Sequence, residues 1–112
     1  MNELLGKSLT KKVERLEAFE ERLSVRFENI SIKAEDDGWF TLFCEVHSAN
    51  GSTIEEDIDI ECVIYDEEGS ILDKENTRIF KDEFFGFEII DIAFQEDGMA
   101  DRVGKIRLYP KK

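Results

Sequence analysis

The run EEDIDIE, Glu55 to Glu61, holds the densest set of groups that could do chemistry, because alternation along a strand would place Asp57, Asp59 and Glu61 on one face. Three carboxylates in a row suit a solvated strand face, a surface for a basic partner, or a Ca²⁺ site completed from loops by Asp36, Asp37 or Asp66. The spacing is not that of an EF-hand, and carboxylates along one strand do not converge as a cation cage requires, so no metal or cofactor is expected. His47 is the only histidine, and Cys44, the nearest thiol, has the opposite parity, which leaves no nucleophile and base side by side. Cys44 and Cys62 lack metal-type spacing and are expected as buried, reduced thiols. Among the carboxylates, only Asp91, between Ile90 and Ile92, sits in a strongly apolar stretch where burial could raise its pKa for acid or base work. Gly-rich phosphate loops, Cys-x-x-Cys and His-x-x-x-His are all absent, so no catalytic residue is assigned and an enzyme is not expected.

A second candidate surface is aromatic. Trp39, Phe43, Val63 and Tyr65 have outward parity on neighbouring strand candidates, and Phe84, Phe85 and Phe87 cluster around Gly86 in the most apolar stretch of the chain. Either a bend at Gly86 buries all three phenylalanines in a core, or one sheet presents Phe85 or Phe87 with the other four as a patch for a protein partner or a second copy of the chain. An N-terminal helix is the expected cover for that face, through Leu16, Phe19 and Leu23.

The elements that must position these residues follow from periodicity. Leu9, Val13, Leu16, Phe19 and Leu23 recur at steps of three and four among Lys, Glu and Arg, which predicts an amphipathic helix over Leu9–Leu23 with Ser8 as its N-cap. From Ser24 the period becomes two: Val25 and Phe27 share one parity and Ile30 and Ile32 the other, so a bulge is expected near Asn29. A turn at Ala34–Gly38 leads to a strand with Phe40, Leu42, Cys44 and Val46 inward. Asn50-Gly51 predicts a tight reversal into a strand with Ile58, Ile60, Cys62 and Ile64 inward. Asp66 to Gly69 reads as a turn closed by a positive-φ glycine, followed by a polar edge strand over Ser70–Phe80. A strand within Phe84–Phe94, a loop at QEDGMAD and a last strand over Val103–Tyr109, with Pro110 beyond it, complete the chain.

Asn50-Gly51, then a strand ending Ile64-Tyr65-Asp66, then Glu68-Gly69-Ser70-Ile71-Leu72, resembles the FxLYD-type family of bacterial immunoglobulin-like domains. In that family an N-x-G, strand, YD-x-x-G-x-x-L pattern marks two central strands and their turn. The resemblance spans about Phe40 to Phe94, with Cys62 where the family has Phe and Ile64 where it has Leu. It implies an immunoglobulin-like sandwich and a role as a non-catalytic accessory or binding domain.

The bulk properties agree with one small domain. A chain of 112 residues buries roughly 65% of its unfolded surface, enough for one core. The charge is +1 over residues 1–34, −18 over 35–101 and +5 over 102–112. The anionic middle opposes binding to nucleic acid phosphates or anionic lipid, and no apolar run has the length of a signal peptide or membrane span, so a cytoplasmic protein is expected. Taken together these features predict an all-β, immunoglobulin-like antiparallel sandwich of six to seven strands over 24–112, preceded by an amphipathic helical arm over 1–23. The expected function is non-enzymatic protein interaction, with an immunity or inhibitor protein for a basic enzyme and a calcium-binding C2-like domain as the alternatives.

Overall fold

A computed structural model describes all of Met1–Lys112. In chain order the elements are α1 (Glu3–Thr10), β1 (Val13–Arg15), α2 (Glu17–Arg22), β2 (Val25–Ala34), β3 (Phe40–Ser48), β4 (Ile58–Tyr65), β5 (Ile71–Ile79), β6 (Phe87–Phe94), α3 (Met99–Arg102) and β7 (Lys105–Lys111). The strands form two sheets, one ordered β1-β7-β4-β5 and the other β2-β3-β6. Every pairing is antiparallel except β1 with β7, which is parallel.

The inward residues of both sheets form one core of 24 buried residues, with Phe27, Leu42, Ile60, Ile64, Phe94, Ile106 and Leu108 among those removed from solvent. Phe40 and Phe94 stack at 5.0 Å between ring centroids across the β3–β6 pair. The register of β2 on β3 shifts between Glu28 and Ser31, where Asn29 takes φ 53°, a left-handed conformation that asparagine tolerates better than most residues. In the β4–β5 hairpin, Asp66 Oδ1 accepts from the backbone N–H of Glu68 and of Ser70, both at 2.9 Å, and Gly69 takes φ 87°.

The N-terminal arm departs from the single helix that its periodicity predicts. Asn2, not Ser8, caps α1 by accepting from Leu5 N–H, and Ser8 lies inside that helix. The chain then turns at Lys11-Lys12, and Val13–Arg15 adds to the free edge of β7 opposite Ile106–Leu108. Edge backbone groups seeking partners, and the β-branched Val13, outweigh a helix propensity that is weak over so few turns. The apolar spacing of three and four survives because Leu9 ends α1 in the core, while Leu16 and Leu23 cap α2. The arm closes the side of the molecule where β2 and β7 run. Thr10 Oγ accepts from Ile32 N–H at 3.0 Å, and Glu20 accepts from Phe27 N–H at 2.8 Å while pairing with Arg15.

Three further expectations need correction. Gly51 N–H does close a turn onto Ser48 at 3.1 Å, but the connection runs from one sheet to the other instead of forming a hairpin. QEDGMAD is not all loop: α3 buries Met99 and Ala100, and Ala100 N–H bonds Gly38 C=O at 3.0 Å, fastening this crossing to the β2–β3 turn. Pro110 lies within β7 opposite Ile60, at a point where β1 no longer pairs on the other side and no ladder donor is missed.

Candidate functional site

The acidic strand is engaged within the molecule. Asp57 Oδ1 accepts from Lys81 N–H, Asp59 pairs with Arg78 at 2.9 Å, and Lys112 reaches Glu56 at 2.7 Å. Glu61 is only 4% exposed, although it faces outward on β4. Tyr109 donates to it at 3.0 Å, with Lys111 at 3.4 Å and Lys74 at 3.7 Å. Burial alone would push its carboxyl up. The hydrogen bonds from Tyr109 and Lys111 and the two lysine charges outweigh that effect and hold it below the ordinary carboxylate range. The basic C-terminal end of the chain is thus largely used on β4 and its flanks. No group of three or more His, Cys, Asp or Glu side chains converges to hold a metal ion.

Cys44 and Cys62 are buried and free, and desolvation pushes both thiols up to about 12, far from thiolate reactivity. His47 lies on the opposite face of β3, with Nε2 2.8 Å from Glu45 and 3.5 Å from Glu28. Hydrogen bonds from His47 and Asn29 lower the Glu45 pKa. Asp91 is exposed on β6, opposite Phe43 in register, and so lacks the apolar pocket that acid or base chemistry would need.

The six apolar residues expected on one surface fall on two. Val63 and Tyr65 are on the four-stranded sheet. Val63 is buried between Lys74 and Arg107 in register, and Tyr65 carries Lys105 and Arg107 over its ring at 5.3 and 5.2 Å. Long basic side chains on neighbouring strands therefore cover this sheet, while Phe19 of α2 reaches Tyr109 at its margin.

Trp39, Phe43, Phe85 and Phe87 belong to the three-stranded sheet or its immediate flanks, and neither α1 nor α2 covers its outer face. Trp39, next to β3, is anchored by donation from Nε1 to Asp97 at 2.7 Å, and Lys33 lies 5.2 Å over the Phe43 ring. Gly86 takes φ 106° and brings its backbone so close to the β3–β4 connection that a Cβ there would sit 2.7 Å from Gly51 O. The bend splits the phenylalanines: Phe84 is buried, whereas Phe85 is 85% exposed and Phe87 51% exposed, the latter stacked on His47 at 5.2 Å. The reading that buries all three in the core does not hold.

Ile89, 63% exposed beside Phe87, is the residue that the sequence reading missed. Its signal was the polar residue two positions on: Asp91 shares the parity of Phe87 and Ile89 and marks the solvent face. The outer columns run His47, Glu45, Phe43 and Thr41 on β3 opposite Phe87, Ile89, Asp91 and Ala93 on β6.

The chain matches no family model, and no curated protein or solved structure matches it. No helix is long and apolar enough to cross a membrane.

Proposed function

We propose that this protein is an immunoglobulin-like, non-enzymatic interaction module whose contact surface is the outer face of β2-β3-β6, within a cytoplasmic setting. The observation that carries the reading is the solvent exposure of Phe87 and Ile89 on a sheet face that neither arm helix covers, with Phe85 exposed just ahead of β6 and Phe43 diagonal to Ile89 in register, while Trp39 lies at the far end of the same sheet. Exposed aromatic and aliphatic side chains grouped on one face are costly to leave in water and are the usual anchors of protein contacts. The immunoglobulin-like assignment is supported by the connections, since β3 to β4, β5 to β6 and β6 to β7 each pass between sheets, as in Greek-key sandwiches. The Tyr65-Asp66 to Leu72 resemblance to FxLYD-type domains supports it further. Because the carboxylates on and beside β4 are bonded to neighbours, the acidic strand is the weaker choice of contact surface.

The test compares wild type, Phe85→Ser/Phe87→Ser and Asp57→Asn/Asp59→Asn as bait for proteins of the source cell. A specific partner should be retained by wild type and by the acidic-strand variant but lost with the double Phe variant, at unchanged circular dichroism. Loss with the acidic-strand variant alone would move the surface to β4 and refute the proposal.

A further inference from the structure

The two exposed sheet edges are protected very differently. β5 ends the four-stranded sheet and carries Asp73, Lys74, Glu75 and Arg78, charges of both signs that discourage a neighbour. β6 ends the three-stranded sheet with an unbroken register from Phe87 to Phe94, no Lys, Arg or Pro, and only half-buried Glu88 turned inward among its apolar residues. Its free backbone groups follow from the ladder. Ser48 N–H bonds Gly86 C=O at 2.9 Å, so the even-numbered residues from Gly86 onward face β3. The N–H and C=O groups of Phe87, Ile89, Asp91 and Ala93 point to the open edge, on the residues whose side chains form the exposed face.

The charge beside that edge has one sign. From Asp82 to Asp101 the chain carries seven acidic residues and no basic one. Burial and the charge of Glu83 already raise the pKa of Glu88, so a further acid would be unwelcome. Accepting the face as a contact surface, we infer that its occupant is an extended, basic segment of another protein, which adds to β6 as a fourth strand. Its apolar side chains lie beside Phe87 and Ile89, and its Lys or Arg residues, on the alternate parity, lie on the side of Glu88. Main-chain bonds supply affinity in such strand addition, and the alternate side chains supply selectivity. A second copy of this chain is a poorer occupant at neutral pH, since each copy carries a net charge of −12.

The probe is a synthetic peptide alternating Val and Lys over the length of β6, with a Val/Glu peptide as control, read by amide exchange and titration. Binding of the Val/Lys peptide should protect the amides of Phe87, Ile89, Asp91 and Ala93, which are open in the free protein, and the Val/Glu peptide should not bind. Ile89→Pro removes an edge donor that β3 does not use, and should weaken binding by roughly tenfold or more. Ile89→Lys, which keeps the backbone and repels the peptide, serves the same purpose if the proline variant does not fold. Absence of binding overturns the inference, as does protection confined to the acidic strand. Perturbed Phe43 and Phe87 side chains without amide protection would overturn strand addition and leave the contact face standing. A free protein that is already dimeric, with these four amides protected, would make a second copy the occupant and overturn the basic segment.

Discussion

Glu61 shows how a single buried carboxylate is held ionised. Its folded pKa lies below its unfolded value, so as the pH falls the unfolded chain takes up the proton first. The stability that Glu61 contributes is therefore complete above the unfolded pKa and lost as the pH falls through the folded one. Glu61→Gln should cost about 1–3 kcal/mol at pH 7, because it removes the negative partner of Lys74 and Lys111 while an amide oxygen can still accept from Tyr109. Urea melts at pH 7 and below pH 4 check this, and a difference between wild type and variant that stayed constant with pH would refute it. The strand that buries Glu61 was legible, since Ile58, Ile60, Cys62 and Ile64 alternate without a break. Its burial was not, because it depends on Tyr109, 48 residues away along the chain. Val63 was misplaced for a similar reason: parity gives the direction of a side chain, but not whether residues such as Lys74 and Arg107 lie on either side of it.

At the scale of elements, the strand faces, the bulge at Asn29 and the turn at Gly69 could be read from period and turn chemistry, which are local. The arm could not. Its period of three to four fits a continuous helix as well as it fits α1, β1 and α2 in succession, and the choice is made by the vacant edge of β7. Two contacts hold the arm, and each yields a prediction. A Cβ on Gly6 would lie 2.7 Å from Ile32 O, a backbone atom that cannot swing away. Gly6→Ala should therefore destabilise by about 1–3 kcal/mol, even though Ala is the better helix former. A variant as stable as wild type would mean that α1 can move off β2. Glu20, 2% exposed, joins Arg15 of β1 to the backbone of β2, and its hydrogen bond raises the Arg15 pKa. Glu20→Ala leaves Phe27 N–H unpaired in the core and should cost about 2–4 kcal/mol, whereas Glu20→Gln keeps an acceptor and should cost less. Chemical denaturation ranks the two, and equal losses would show that the N–H bond is not what matters.

For the whole molecule, the arm closes one side and leaves the β5 and β6 edges open on the other, so charge is what opposes association through them. A net charge of −12 opposes the approach of a second copy at neutral pH. That protection ends near the isoelectric point of about 4.5, and Glu88 is among the first acids to be neutralised because burial and Glu83 raise its pKa. Two β6 strands paired antiparallel about Ile89 would set Phe87 opposite Asp91 and Glu88 opposite Ile90, so no two acids would face each other directly. Lowering the pH from 7 toward 4.5 should therefore drive association of wild type, seen as a rise in light scattering. Ile89→Lys, which puts a charge on the open edge, should hold the scattering down at the same pH. If both proteins associate equally, loss of net charge alone is responsible and the β6 edge is not the route; if only wild type does, the unguarded strand is the most adhesive part of the surface.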